Sequence, residues 1–157
     1  MKNSVYIETS IVSYLTARPS NDIRSVSQQN ITSEWWDFRR NEFDIFISEF
    51  VIIEASRGDK NAAAKRLAVI EGIAELETLS ITADLARLLI LHGSLPPKAE
   101  IDAFHIAVAA THGVEFLLTW NCKHIANAIM RPKIEQVCRE RGFEPPIICT
   151  PTELLEG

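Results

Sequence analysis

The chain has 157 residues, 46% hydrophobic and 24% charged, with 16 Lys+Arg against 21 Asp+Glu and a formal net charge of −5. That length and apolar fraction suit a single domain spanning residues 1–157, able to bury a core without metal or disulfide staples. The acidic balance is a poor footprint for gripping long duplex DNA through its phosphates, although it leaves room for local contact with nucleic acid.

In chain order, Met1 to Tyr6 has no apolar signal core, which points to a cytoplasmic protein. Val5-Tyr6-Ile7 reads as a first strand, and Glu8-Thr9-Ser10 starts a helix through Leu15. After a polar loop, Ser25 to Arg40 reads as a helix with a basic end at Arg39-Arg40. Phe43 to Ile47 alternates like a second strand, and Ser48 caps a short apolar helix ending at Arg57-Gly58. Asp59 opens another helix through Ile73, followed by a third strand at Leu76 to Leu79.

Thr82 is expected to cap a helix ending near His92-Gly93, and Lys98 to His112 forms the next, closed by Gly113. Its Ile106–Ala110 stretch is the longest apolar run, far below the ~18 residues a membrane span requires. Phe116 to Thr119 is a fourth strand, Arg131 to Arg141 a helix, and Ile147 to Cys149 a last strand before a terminal helix from Thr150-Pro151. Cys122, Cys138 and Cys149 are odd in number and widely spaced, which excludes a recognisable zinc clip and fits a reducing compartment. Strands separated by helices imply right-handed crossovers and a mainly parallel sheet covered on both faces, an α/β fold.

Such a sheet places its site beyond the carboxyl ends of the strands. That rule selects Glu8 after the first strand, the helix carrying Glu54 after the second, and Asn121 after the fourth. Asp102 joins them from a helix that is nearly all apolar from that residue onward, where a lone buried carboxylate costs several kcal/mol or neutralises itself. His105 lies about 60° round the helix from Asp102 and shares its face, as an interior hydrogen-bonded side chain rather than a ligand. Glu49 and Glu54 differ by about 140°, so only one of them can face a common site, and Glu54, after Val51-Ile52-Ile53, is preferred.

Clustered carboxylates at a sheet edge suit a hard divalent cation, Mg²⁺ or Mn²⁺, which activates water and polarises phosphoryl oxygens. No G-x-G-x-x-G, Walker-type loop, G-x-S-x-G elbow or H-E-x-x-H pair is present, which disfavours nucleotide-binding, serine-hydrolase and zinc-protease readings.

In order, these segments resemble the PIN domain family, metal-dependent nucleases that include VapC-type toxins. The matching pieces are Val5 to Ser10, Ser48 to Gly58 with Glu54, Asp102-Ala103-Phe104-His105-Ile106-Ala107, and Leu117 to Asn121. The resemblance implies a three-layer α/β/α sandwich and Mg²⁺- or Mn²⁺-dependent cleavage of single-stranded RNA by metal-activated water. It implies catalytic roles for Glu8, Glu54, Asp102 and Asn121, with Glu8 and Asp102 holding the metal and Thr9, Ser10, Thr119 and His105 lining the site. It further implies a small antitoxin protein as partner and a homodimer, with no membrane role. Where the family usually has Asp this chain has Glu8, and Asn121 stands where an acid is often found, so one metal is expected rather than two. Those departures and the acidic charge leave a second reading, a PIN-like module that binds RNA or a protein partner without cleaving.

Overall fold

Val5, Tyr6 and Ile7 are consecutive in strand β1 (Asn3–Ile7), and none of the three is exposed to solvent. Neighbours on a strand face opposite sides, so the computed structural model, which describes residues 1–157, has a sheet covered on both faces. Strands β2 (Phe43–Ser48), β3 (Ala74–Leu76), β4 (Phe116–Leu118) and β5 (Ile147–Cys149) complete it. All pairings are parallel, in the order β3-β2-β1-β4-β5.

Parallel neighbours require crossovers, and seven helices provide them. Helices α1 (Thr9–Thr16), α2 (Ile23–Phe38), α3 (Glu49–Ala55) and α4 (Lys60–Ile70) belong to the connections β1 to β2 and β2 to β3. Helices α5 (Ser80–His92) and α6 (Glu100–Thr111) join β3 to β4, and α7 (Arg131–Glu140) joins β4 to β5. Helix α1 packs on α2, α3 and α4, while α5 packs on α6 and α7, which gives the helical layers of the sandwich. The order of strands reverses between β1 and β4, so the crevice beyond their carboxyl ends is where a site is expected.

Local chemistry explains the element boundaries. Asp59 caps α4 by accepting the Ala62 N–H at 2.9 Å, as its sequence position predicts. Asp22 does the same for α2, accepting from Ser25 at 3.0 Å, so that helix begins at Ile23 rather than Ser25. Helix α4 stops at Ile70, because Gly72 turns the chain at φ +81°, and β3 then pairs Ala74 with Phe46. The third strand is therefore Ala74–Leu76 and not Leu76 to Leu79. Thr82 is not the cap residue of α5 but reaches back from its first turn, where its Oγ1 accepts the Leu79 N–H at 3.2 Å. The terminal helix is a short 3-10 turn, Pro151–Leu154. Trp35 and Trp36 are packing residues: Trp35 is fully buried between Trp36 and Phe43, with ring centroids 6.5 and 5.9 Å away. No helix is long and apolar enough to cross a membrane.

Candidate functional site

Ile7 of β1 pairs with Leu118 of β4, so the next residue of each strand, Glu8 and Thr119, emerge together at the sheet edge. The Glu8 N–H donates to the Leu118 carbonyl and the Thr119 N–H to that of Cys149, each at 3.0 Å. The Glu8 side chain is 4% exposed. Its Oε1 accepts from Ser10 Oγ at 2.5 Å and from Thr119 Oγ1 at 2.6 Å, while no protein donor reaches Oε2.

Glu54 arrives from α3, whose N-terminus is fixed by Ser48 Oγ accepting the Phe50 N–H at 3.3 Å. Its Oε1 accepts from Thr9 Oγ1 at 2.7 Å and from His105 Nε2 at 2.6 Å, and again Oε2 has no protein donor. Burial pushes the Glu54 carboxyl up. The hydrogen bonds from His105 and from the Thr9 hydroxyl, with the Arg57 guanidinium nearby, outweigh it and hold the group below its ordinary value. Glu49 points to solvent, as the helical spacing requires.

His105 is fully buried, and both ring nitrogens are bonded. A carboxylate only accepts, so Nε2 carries the proton given to Glu54. In the neutral ring Nδ1 then accepts from the Tyr6 hydroxyl at 2.6 Å, and Tyr6 in turn accepts from Ser48 Oγ at 2.7 Å. Burial raises the Tyr6 phenol well above its ordinary range, which keeps it a donor. Glu8, Glu54 and His105 each bring one potential ligand atom within 4.8 Å of the others.

Asp102 lies in the first turn of α6, on the face it shares with His105 but outside that trio. Its Oδ1 accepts from Asn121 Nδ2 at 3.1 Å and its Oδ2 from His124 Nδ1 at 2.9 Å. Asn121 Oδ1 accepts the His124 N–H at 3.1 Å, and the Asn121 N–H donates to Thr119 Oγ1 at 2.9 Å. Thr119 thereby joins the Glu8 group to the Asp102 group. The tightest grouping of potential ligand atoms is Glu8, Glu54 and His105. Both His105 nitrogens are engaged by Glu54 and Tyr6, however, so the imidazole anchors Glu54 rather than offering a ligand atom. Ser10, Thr9, Thr119 and His105 all take part in the network, and Ser10 Oγ also accepts the Trp120 N–H at 2.8 Å.

A divalent cation suits this donor set. Two glutamates are anchored through one oxygen each and present the other, and no lysine or arginine pairs with Glu8, Glu54 or Asp102. Of the basic residues near the second motif, Arg57 and Lys60 are exposed. Arg39 is engaged by Glu42 at 2.8 Å and by the Gly157 carbonyl at 3.1 Å, and Arg40 lies over the Trp36 ring at 4.4 Å.

Sequence reasoning missed Tyr6 and His124. Tyr6 had a signal, since a hydroxyl inside an apolar strand must find a partner. His124 had none, since it lies in an irregular turn where a three-residue spacing fixes no shared face.

Residues 5–123 match the family model of the PIN domain. A search of curated proteins finds no match. Among solved structures, the chain is similar to VapC20 of Mycobacterium tuberculosis, described as a Sarcin-Ricin loop cleaving toxin. The TM-score is 0.57 at 15% identity, covering 91% of this chain and 100% of that one. It is also similar to VapBC2 of Rickettsia felis bound to a DNA fragment from its promoter, with TM-score 0.54 at 14% identity, covering 93% of this chain and 97% of that one.

Proposed function

Since this chain belongs to the PIN domain family, we propose that it is a metal-dependent endoribonuclease of the VapC toxin type that cleaves single-stranded RNA. One observation carries the reading: Glu8 and Glu54 are each locked through Oε1 and leave Oε2 without a protein donor, and no lysine or arginine forms an ion pair with either. The fold likeness to VapC20 supports the same reading.

Glu8, Glu54 and Asp102 would hold the cation, Mg²⁺ or Mn²⁺. When bound, the ion would supply the positive charge that activates water and screens a phosphodiester. The protein's own part is preorganisation. Thr9, Ser10 and Thr119 fix the two glutamates before substrate arrives, so little reorganisation remains. The depressed Glu54 carboxyl stays ionised across the neutral range. Arg57 and Lys60, exposed beside the second motif, would gather RNA locally despite the acidic net charge. A cytoplasmic homodimer restrained by a small antitoxin completes the proposal, in keeping with the likeness to VapBC2.

The test is cleavage of single-stranded RNA by wild type, Asp102→Asn and Glu8→Gln in Mg²⁺ and in Mn²⁺, with thermal melts as the control for folding. Loss of cleavage in folded variants is expected. Undiminished cleavage contradicts the reading. A wild type that binds Mn²⁺ and RNA yet never cleaves would indicate the binding module instead.

A further inference from the structure

Asp102, Asn121 and His124 form a closed ring of three hydrogen bonds. Both oxygens of Asp102 receive a donor, and both donors come from the single turn after β4. That turn is itself closed by the Asn121 Oδ1 acceptance of the His124 N–H and tied to the sheet edge through Thr119. Asn121 spends its side-chain oxygen on the backbone and its nitrogen on Asp102. An aspartate at 121 would have no N–H to give, and would face Asp102 with like charge. His124 gives Asp102 its Nδ1 proton, since a carboxylate can only accept.

We propose that Asn121 and His124 form a two-donor clamp that fixes the Asp102 carboxylate for the divalent cation, with His124 as a positioning residue. The clamp rests on the metal-dependent reading given above. Each carboxylate oxygen keeps a lone pair after accepting one hydrogen bond, so clamping and ligation are compatible. Partners of this kind orient ligands and typically govern affinity by 10–100-fold. The clamp also gives Asn121 a role that needs no acid: it orients Asp102, not the ion.

The experiment is calorimetric titration with Mn²⁺ of wild type, His124→Ala, His124→Asn and His124→Gln, each checked for folding by circular dichroism. The asparagine amide nitrogen stands where Nδ1 stands in histidine, and the glutamine one does not. The clamp predicts about 10–100-fold weaker Mn²⁺ binding in H124A and H124Q, with H124N within about threefold of wild type. If H124A fails to fold, the comparison of H124N with H124Q decides. Unchanged affinity in H124A, or H124N as weak as H124Q, overturns the clamp while leaving the metal reading intact. A folded wild type that binds no Mn²⁺ overturns both.

Discussion

Thr119 gives its hydroxyl proton to Glu8 Oε1 at 2.6 Å, and the two residues meet across most of the chain because Ile7 and Leu118 pair in register one step before them. Both side chains are buried, so the bond is between a hydroxyl and an acid with little water nearby. Thr119→Val keeps the shape and removes the donor. A hydrogen bond to a charged group is worth about 1.5–3 kcal/mol, and urea unfolding should show a loss of that order. An unchanged midpoint and slope would mean that Glu8 does not depend on Thr119.

The Tyr6 hydroxyl lies between Ser48 and His105, inside the fully buried part of the sheet. Tyr6→Phe strands the acceptor on His105 and the donor on Ser48, which should lower stability by about 1–3 kcal/mol. Because Ser48 acts through the same oxygen, Ser48→Ala and Tyr6→Phe should be non-additive in a double-mutant cycle. Simple addition of the two effects would argue that the relay is not coupled.

Burial raises the thiols of Cys138 and Cys149 from 9.0 to about 12, and it raises the Tyr6 phenol as well. Each group keeps its proton in the native state at a pH where the unfolded chain has lost it. The stability they confer is therefore complete below about pH 9 and is lost as pH climbs toward 12. Denaturant midpoints should fall steadily above pH 9. At pH 8 only the exposed Cys122 should react rapidly with a thiol reagent, and the other two only on unfolding. Rapid labelling of three thiols in the folded chain would contradict the burial argument.

Arg57 is exposed and close enough to Glu54 to depress its carboxyl. If it also meets RNA, Arg57→Gln should raise KM with a smaller change in kcat. The salt dependence of log binding constant should become shallower by about 0.7 for one lost single-strand phosphate contact. An unaltered salt slope would remove Arg57 from the RNA path.

The strands were legible where the sequence is apolar and β-branched, as in Val5-Tyr6-Ile7, because a parallel sheet buries both faces and demands continuous runs. The third strand was not, since its position follows from pairing with β2 and from the Gly72 turn rather than from its own residues. At the site, Glu8, Glu54 and Asp102 could be picked out by following the carboxyl ends of strands and the faces of helices. Thr9, Ser10, Thr119 and His105 were named as lining the site only through the family resemblance, and which acid each would bond was not legible. Contacts such as His105–Glu54 and Thr119–Glu8 join residues 51 and 111 positions apart, a separation at which local periodicity carries no information. His124 escaped for a related reason: nothing in Asn121-Cys122-Lys123-His124 reveals which carboxylate the imidazole will face.

The most direct test is a crystal soaked in Mn²⁺ and measured for anomalous scattering. One strong peak is expected, bonded to the free oxygens of Glu8 and Glu54 and to Asp102 and absent in Glu8→Gln. No peak there, or a peak that persists in Glu8→Gln, would contradict the metal reading.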